Sequence, residues 1–263
     1  MMFDFDSALV RQPAQSVICG LSSYSGPRPA FEAIAHEHRE YIHALKECGL
    51  AVDSLPPLEE YPDSIFVEDP ALVLGNAAVL LRPGAPARRG EVDRIEGSLR
   101  RRFDPVLRLR NGFADGGDML LTGGGMLIGL SGRTDRTGAN ELAALLTELG
   151  IGSRIVATPA GTLHLKSDCS LIDEKHVLCT ATLAESPIFA DYHKLIVPHG
   201  EERAANALRL NDTVLVGEEF PHTVELLRQN GYTVRELPVR EIGKLDAGLS
   251  CMSLRWKSTP RQA

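Results

Sequence analysis

Five polar residues, Glu68, Asp115, His164, Asn206 and Cys251, recur along this chain at intervals of 47, 49, 42 and 45 residues. The hydrophobic pattern between them recurs too, as two short apolar runs around a turn, an amphipathic helix and a further apolar run. A unit this small cannot bury its own hydrophobic face, so units must stack, either as a closed ring or as a solenoid. Ring closure would draw the five landmarks, which occupy equivalent corners of their units, towards one axis. The competitor is an open α/β sheet. Against it, the paired runs read as antiparallel hairpins, and GGGMLIG after Thr122 has neither GxGxxG nor GxxxxGK(S/T) spacing.

In chain order, FDSALV reads as the first strand and VICGL follows, with SSYSGPRP as the loop into a helix from about Pro29 to Cys48 that Gly49 stops. LAVDSLP is a strand, and PALVLGNAAVLL is a strand pair around a Gly-Asn turn. Arg88 to Arg102 reads as a charged amphipathic helix and FDPVLRL as the strand after it. MLLTGGGMLIGL is a hairpin. Thr137 or Gly138 opens a helix that buries Leu142, Leu145, Leu146 and Leu149 and stops at Gly150. Leu163, His164 and Leu165 alternate as in a strand, which places Lys166 on the same side as His164. A helix begins between Ser186 and Tyr192, two strands flank Asn211-Asp212, and Phe220 to Gln229 is a helix closed by Gly231. The residues after Trp256 are expected to fray.

With 263 residues and 43% hydrophobic content, the chain can bury a core as one large domain or two small ones. No window approaches eighteen apolar residues, and the start MMFDFDSALVRQP lacks a basic, then apolar, leader pattern. The expectation is a soluble cytoplasmic protein with no membrane partner. A net charge of -7 offers no footprint for nucleic acid and suits a small cationic partner better. The five cysteines are odd in number and widely spaced, which argues against a disulfide framework. Cys169, His176 and Cys179 have partial metal-ligand spacing without a fourth ligand nearby, so no metal site is expected.

The segments PDSIFVED, RRGE, DGGD, GLSGRT, LHLKS and LDAGLSC, in this order and at these intervals, resemble the dimethylarginine dimethylaminohydrolase family. That family sits in the superfamily of guanidino-group-modifying enzymes that includes arginine deiminases and amidinotransferases. The similarity covers nearly the whole chain. It implies a single catalytic domain over residues 1–263, an α/β propeller of pseudo-fivefold symmetry built from ββαβ modules, in agreement with the repeat. On the matching positions, it implies Cys251 as nucleophile, His164 as general acid and base, and Asp115 as the carboxylate that orients His164 and holds the guanidinium. Asp69 resembles the second carboxylate on that group, with Glu68 and Asp63 near the bound amino acid. Arg88 and Arg133 resemble the pair gripping the α-carboxylate, and the backbone at Leu21 and Leu245 receives the α-amino group. Each residue also has an ordinary reading: buried inert thiol, satisfied core histidine, Asp-Gly turn, solvated charge. Their joint occurrence in the family's order favours function.

The chemistry asks for these residue types. A guanidinium is planar and cationic, so carboxylates can hold it by charge-assisted hydrogen bonds, while delocalisation leaves its carbon a poor electrophile that suits a soft thiolate. Protonation by His164 lets the amine leave, and the same histidine then activates water against a thiouronium on Cys251. No metal or organic cofactor is implied. DGGD and the short length favour hydrolysis of Nω-methylated arginines to citrulline. Arginine deimination, hydrolysis of another small guanidino compound, or non-catalytic binding of an arginine derivative are the alternatives. The resemblance leaves monomer and homodimer both open and extends to zinc inhibition at the active cysteine.

Overall fold

In the computed structural model, which describes residues 2–258, every β-strand belongs to one of five three-stranded sheets. The second sheet sets the pattern. Strands β3 (Ala71–Leu74) and β4 (Ala77–Leu80) form a hairpin, helix α2 (Glu91–Arg100) crosses over, and β5 (Val106–Arg108) pairs parallel with β4. The third repeats it with β6 (Met119–Thr122), β7 (Gly125–Leu130), α3 (Arg136–Glu148) and β8 (Ser153–Ala157). The fourth uses β9 (Cys169–Leu171), β10 (His176–Cys179), the short helix α4 (Ala181–Ala184) and β11 (His193–Ile196). The fifth uses β12 (Leu208–Leu210), β13 (Thr213–Gly217), α5 (Pro221–Gln229) and β14 (Thr233–Leu237).

The first sheet is assembled from both ends of the described chain. Strand β1 (Ser7–Arg11), helix α1 (Phe31–Glu47) and β2 (Ala51–Leu55) supply the parallel half. The missing hairpin strand is β15 (Leu254–Trp256), antiparallel to β1 with Ser7 opposite Trp256 and Leu9 opposite Leu254. This pairing completes five ββαβ modules in the pseudo-fivefold α/β propeller that the resemblance had implied, and decides for a ring over a solenoid. The first strand of each module is innermost, and Leu72, Leu120, Leu171, Leu208 and Leu254, one from each of these strands, line a shared central cavity.

Local chemistry explains the elements. In α1, Ile34, Tyr41 and Leu45 recur on one buried face. In α3, the Asp135 side chain accepts from Gly138 N, which places the start at Arg136, slightly before the expected Thr137 or Gly138. That helix buries Leu142 and Leu146, whereas Leu145 and Leu149 are only partly covered. Gly150 ends it in the left-handed region at φ 73°, which a side chain would strain.

Several expectations change. The run Val17–Ile18–Cys19 is part of a 3-10 turn, Gln15–Cys19, and not a strand. Helix α2 starts at Glu91, leaving Arg88 in a preceding 3-10 turn, Pro86–Arg88, where it is 4% exposed. The helix expected from Ser186–Tyr192 is replaced by α4 and a 3-10 turn, Pro187–Phe189. Leu163, His164 and Leu165 do not form a strand; His164 caps a 3-10 turn, Leu165–Ser167, so the same-side placement of Lys166 fails. The expected fraying beyond Trp256 falls largely on residues 259–263, outside the described residues. Among the described residues, no helix is long and apolar enough to cross a membrane.

Candidate active site

At one end of the central axis, loops from several modules enclose a narrow cleft lined by Leu21, Asp63, Phe66, Asp69, Arg88, Arg133, Leu163, His164, Leu245, Asp246, Ala247 and Cys251. Eight of the ten residues singled out from the sequence are in this lining. The other two, Asp115 and Glu68, stand behind it.

The DGGD segment builds the rear wall. Asp115 is fully buried, and its carboxylate accepts from Gly84 N at 2.7 Å and meets His164 Nε2 at 3.1 Å. A Cβ on Gly116 would lie 1.9 Å from the Glu68 carbonyl oxygen, and one on Gly117 would lie 2.7 Å from His164 Cγ and Nδ1. The two glycines thus let the backbone pass under Glu68 and the imidazole. Asp118 accepts from Ser131 Oγ at 2.6 Å, Thr134 Oγ1 at 2.7 Å and Leu165 N at 2.9 Å, fixing the turn that follows His164.

Asp69 accepts from Gly117 N at 2.9 Å and pairs with Arg88. Arg88 also donates to Glu91 at 3.0 and 2.8 Å and to the carbonyls of Asp63 and Phe66, so most of its guanidinium is committed within the wall. Arg133, by contrast, is only partly buried, with Nη1 3.7 Å from Asp115 Oδ2. Asp63 accepts from Leu21 N at 2.9 Å. Ser22 Oγ donates to the Lys244 carbonyl and Ser23 Oγ to Asp246 at 2.9 Å, which ties the loop after Gly20 to the segment around Leu245. Asp246 turns that segment through a left-handed conformation, φ 55°.

Cys251 lies in a 3-10 turn, Leu249–Met252, two residues before β15. Asn206 holds this turn, accepting from Ser250 N at 3.1 Å and placing Nδ2 3.8 Å from Cys251 Sγ. Glu68 braces it from the other side. Its N–H donates to the Cys251 carbonyl, its carboxylate accepts from Ser250 Oγ at 2.9 Å, and it pairs with Lys166 at 2.5 Å and Arg255 at 3.3 Å. Lys166 therefore partners Glu68 rather than His164. Asn206 and Asp118 enter as functional candidates that the residue-by-residue reading left out. Asn206 had a signal, because it is one of the five recurring landmarks. The convergence of those landmarks is direct, through the Glu68–Cys251, Asn206–Cys251 and Asp115–His164 contacts.

Electrostatics set the resting protonation. Burial lowers the His164 pKa, but Asp69, Asp115 and Asp118 outweigh it and lift the imidazole to about 9. Burial raises Asp69, but His164 and Arg88 hold its carboxyl well below the usual range. Burial, reinforced by Glu68 and Asp69, pushes the Cys251 thiol far up, against weaker help from a Gly248 backbone hydrogen bond and Lys166. At neutral pH these charges favour an imidazolium at His164 and a neutral thiol at Cys251. Ligand atoms of Asp69, Asp115 and His164 lie within 4.8 Å of one another, as a divalent cation would require, although each already has a protein partner.

Comparison with known proteins places this chain among guanidino-modifying enzymes. Residues 55–195 match the family model described as arginine deiminase. The chain is 36% identical over 255 residues to the N(G),N(G)-dimethylarginine dimethylaminohydrolase of Pseudomonas aeruginosa, covering 96% of this chain and 100% of the relative. It is 32% identical over 253 residues to the enzyme of the same name from Streptomyces coelicolor, covering 94% and 96%. A structure of the Pseudomonas aeruginosa enzyme, a cysteine-to-serine mutant complexed with citrulline, superposes with a TM-score of 0.93 at 35% identity over 96% of this chain and 100% of that one.

Proposed function

The chain belongs to the arginine deiminase and dimethylarginine dimethylaminohydrolase family of guanidino-modifying enzymes, and from that membership we propose that it hydrolyses Nω-methylated L-arginines to L-citrulline and methylamine or dimethylamine through a covalent intermediate on Cys251. The observation that carries this reading is the sharing of one narrow cleft by a thiol, a carboxylate-held imidazolium and the anionic Asp69.

Asp69 receives the cationic guanidinium, and Arg133 meets the α-carboxylate at the mouth. Arg88 adds positive field there while its own hydrogen bonds hold Asp69 in place. Asp63 and the backbone at Leu21 and Leu245 surround the α-amino group. Leu21, Phe66, Leu163 and Leu245 give the apolar contact that N-methyl groups need, each buried methyl being worth about 0.8 kcal/mol. That margin favours methylated substrates over arginine only modestly.

Because Glu68 and Asp69 disfavour the thiolate, the arriving cation itself lowers the Cys251 pKa by offsetting their charges. Thiolate attack on the guanidinium carbon forms a tetrahedral adduct. His164, held by Asp115 as an imidazolium, protonates the departing amine nitrogen, and collapse leaves an S-alkylthiouronium on Cys251. Neutral His164 then takes a proton from water as it adds to the same carbon, and expulsion of the thiolate releases citrulline. Glu68 acts through the nucleophile's turn, which it braces with Lys166 and Arg255, and touches no substrate.

The decisive experiment offers asymmetric dimethylarginine, monomethylarginine and arginine in parallel and identifies both citrulline and the amine. Methylamine or dimethylamine with little ammonia from arginine is the expected result. Ammonia from arginine at equal or higher efficiency would make the protein a deiminase.

Because the acid is His164 with a pKa of about 9, kcat/KM is expected to fall as pH rises through that value, where the imidazolium is lost. The same shift adds stability that is fully present below the unfolded pKa of about 6.5 and disappears as pH passes about 9. A basic limb near 6.5 in the pH–rate profile would contradict this. A second expectation concerns Gly117→Ala. The methyl must displace the His164 ring, so kcat should drop by about 10- to 100-fold while the circular dichroism spectrum stays native. An unchanged kcat would show that the ring's seat on Gly117 does not matter.

A further inference from the structure

Cys169 and Cys179, the cysteines whose spacing hinted at a metal, face each other across the β9–β10 hairpin. Thr180 N donates to the Asp168 carbonyl and Ile172 N to the His176 carbonyl, both at 3.0 Å, and these contacts bracket the pairing. The alternation they impose makes Cys169 and Cys179 a non-hydrogen-bonded pair, in which Cα atoms approach to about 4.5 Å and side chains are closest. A disulfide spans Cα separations from about 4.4 Å upward, so a pair of this kind lies within its reach. His176 lies three residues from Cys179 on the same strand and projects from the opposite face, where its Nδ1 meets Asp173 at 2.9 Å. It is not available to join the two sulfurs around a metal.

From this juxtaposition we propose that Cys169 and Cys179 form an oxidation site, a cross-strand dithiol that hydrogen peroxide closes to an intramolecular disulfide. One sulfur attacks peroxide as its thiolate, giving a sulfenic acid and water; the second displaces water from that sulfur to form the S–S bond. Two thiols and one peroxide yield one disulfide and two waters, each sulfur giving up one electron. Cys169 lies on an innermost strand beside the central cavity. Both thiols are essentially fully buried, at 1% and 0% exposure, and burial pushes Cys179 up to about 11, so closure is slow and proceeds when the hairpin opens locally. The site also touches the catalytic wall. Cys169 Sγ donates to the Leu165 carbonyl at 3.3 Å, and oxidation removes that hydrogen from the turn that follows His164.

The test uses the whole 263-residue chain. It is treated with hydrogen peroxide at neutral pH, remaining thiols are blocked with N-ethylmaleimide in denaturant, and the protein is digested with trypsin without reduction. Cleavage after Lys166, Lys175 and Lys194 separates the two cysteines. The expected product is the pair of peptides joined through Cys169 and Cys179, two hydrogens lighter than their sum, which dithiothreitol returns to separate thiols. Recovery of both cysteines as maleimide adducts, or as separate sulfinic acids, at peroxide doses that oxidise Cys251 would overturn the proposal.

Discussion

Turnover is expected to vanish when Cys251 is replaced by serine, with a loss on the order of 10^4-fold or more in citrulline release. The reason lies in the resting electrostatics. Burial, Glu68 and Asp69 already make a thiolate costly to form in this cleft, the Gly248 hydrogen bond and Lys166 offset them only weakly, and the substrate's own charge supplies the rest. An alcohol starts several pKa units higher than a thiol, so the same charge cannot produce a useful alkoxide. Binding should survive within roughly tenfold, because Asp69, Arg133 and the apolar lining are untouched. Isothermal titration with asymmetric dimethylarginine would report the affinity, and circular dichroism the fold. Near-normal turnover in this variant would rule out the covalent route.

Replacing Arg88 by alanine should cost about 3–5 kcal/mol of stability, read as a lowered urea midpoint, because it strands buried charge. The side chain satisfies Asp69, Glu91 and the carbonyls of Asp63 and Phe66 in a region almost without solvent. Lysine should recover only part of the loss, since one ammonium cannot reproduce a planar fork. If Arg88 acted only on the substrate's α-carboxylate, the urea midpoint would barely move and KM alone would rise. The two readouts therefore separate a supporting role from a binding one.

What the sequence made legible is largely what local chemistry decides. Hairpin turns carry their own signals, as at Asn211 with φ 49°, and helix periods and glycine stops mark the crossovers, so the repeat follows from short windows, whereas they left ring and solenoid both open. The candidate site is less local. Leu163, His164 and Leu165 look like a strand because nothing nearby reveals that Leu165 N binds Asp118, 47 residues away, and that Ser167 N closes back onto the His164 carbonyl. Glu68 and Asp69 are neighbours in an acidic turn, yet one faces the cleft and the other braces Ser250 from behind, a division set by partners about 180 residues distant. Arg88 reads as a solvated helix charge until its two carboxylate partners are placed around it.

The join between β15 and β1 gives the ring an order of completion. Every other module takes its three strands from one continuous stretch, while this one must wait for residues 254–256 to meet residues 7–9. The turn carrying Cys251 directly precedes β15 in the chain, and Glu68 and Asn206 are its contacts. During synthesis on the ribosome, four modules can fold while the thiol is still unmade or threaded in the exit tunnel. A nascent chain therefore carries its acids, its histidine and its arginines before it carries Cys251, and the candidate site is complete only with the strand that closes the ring.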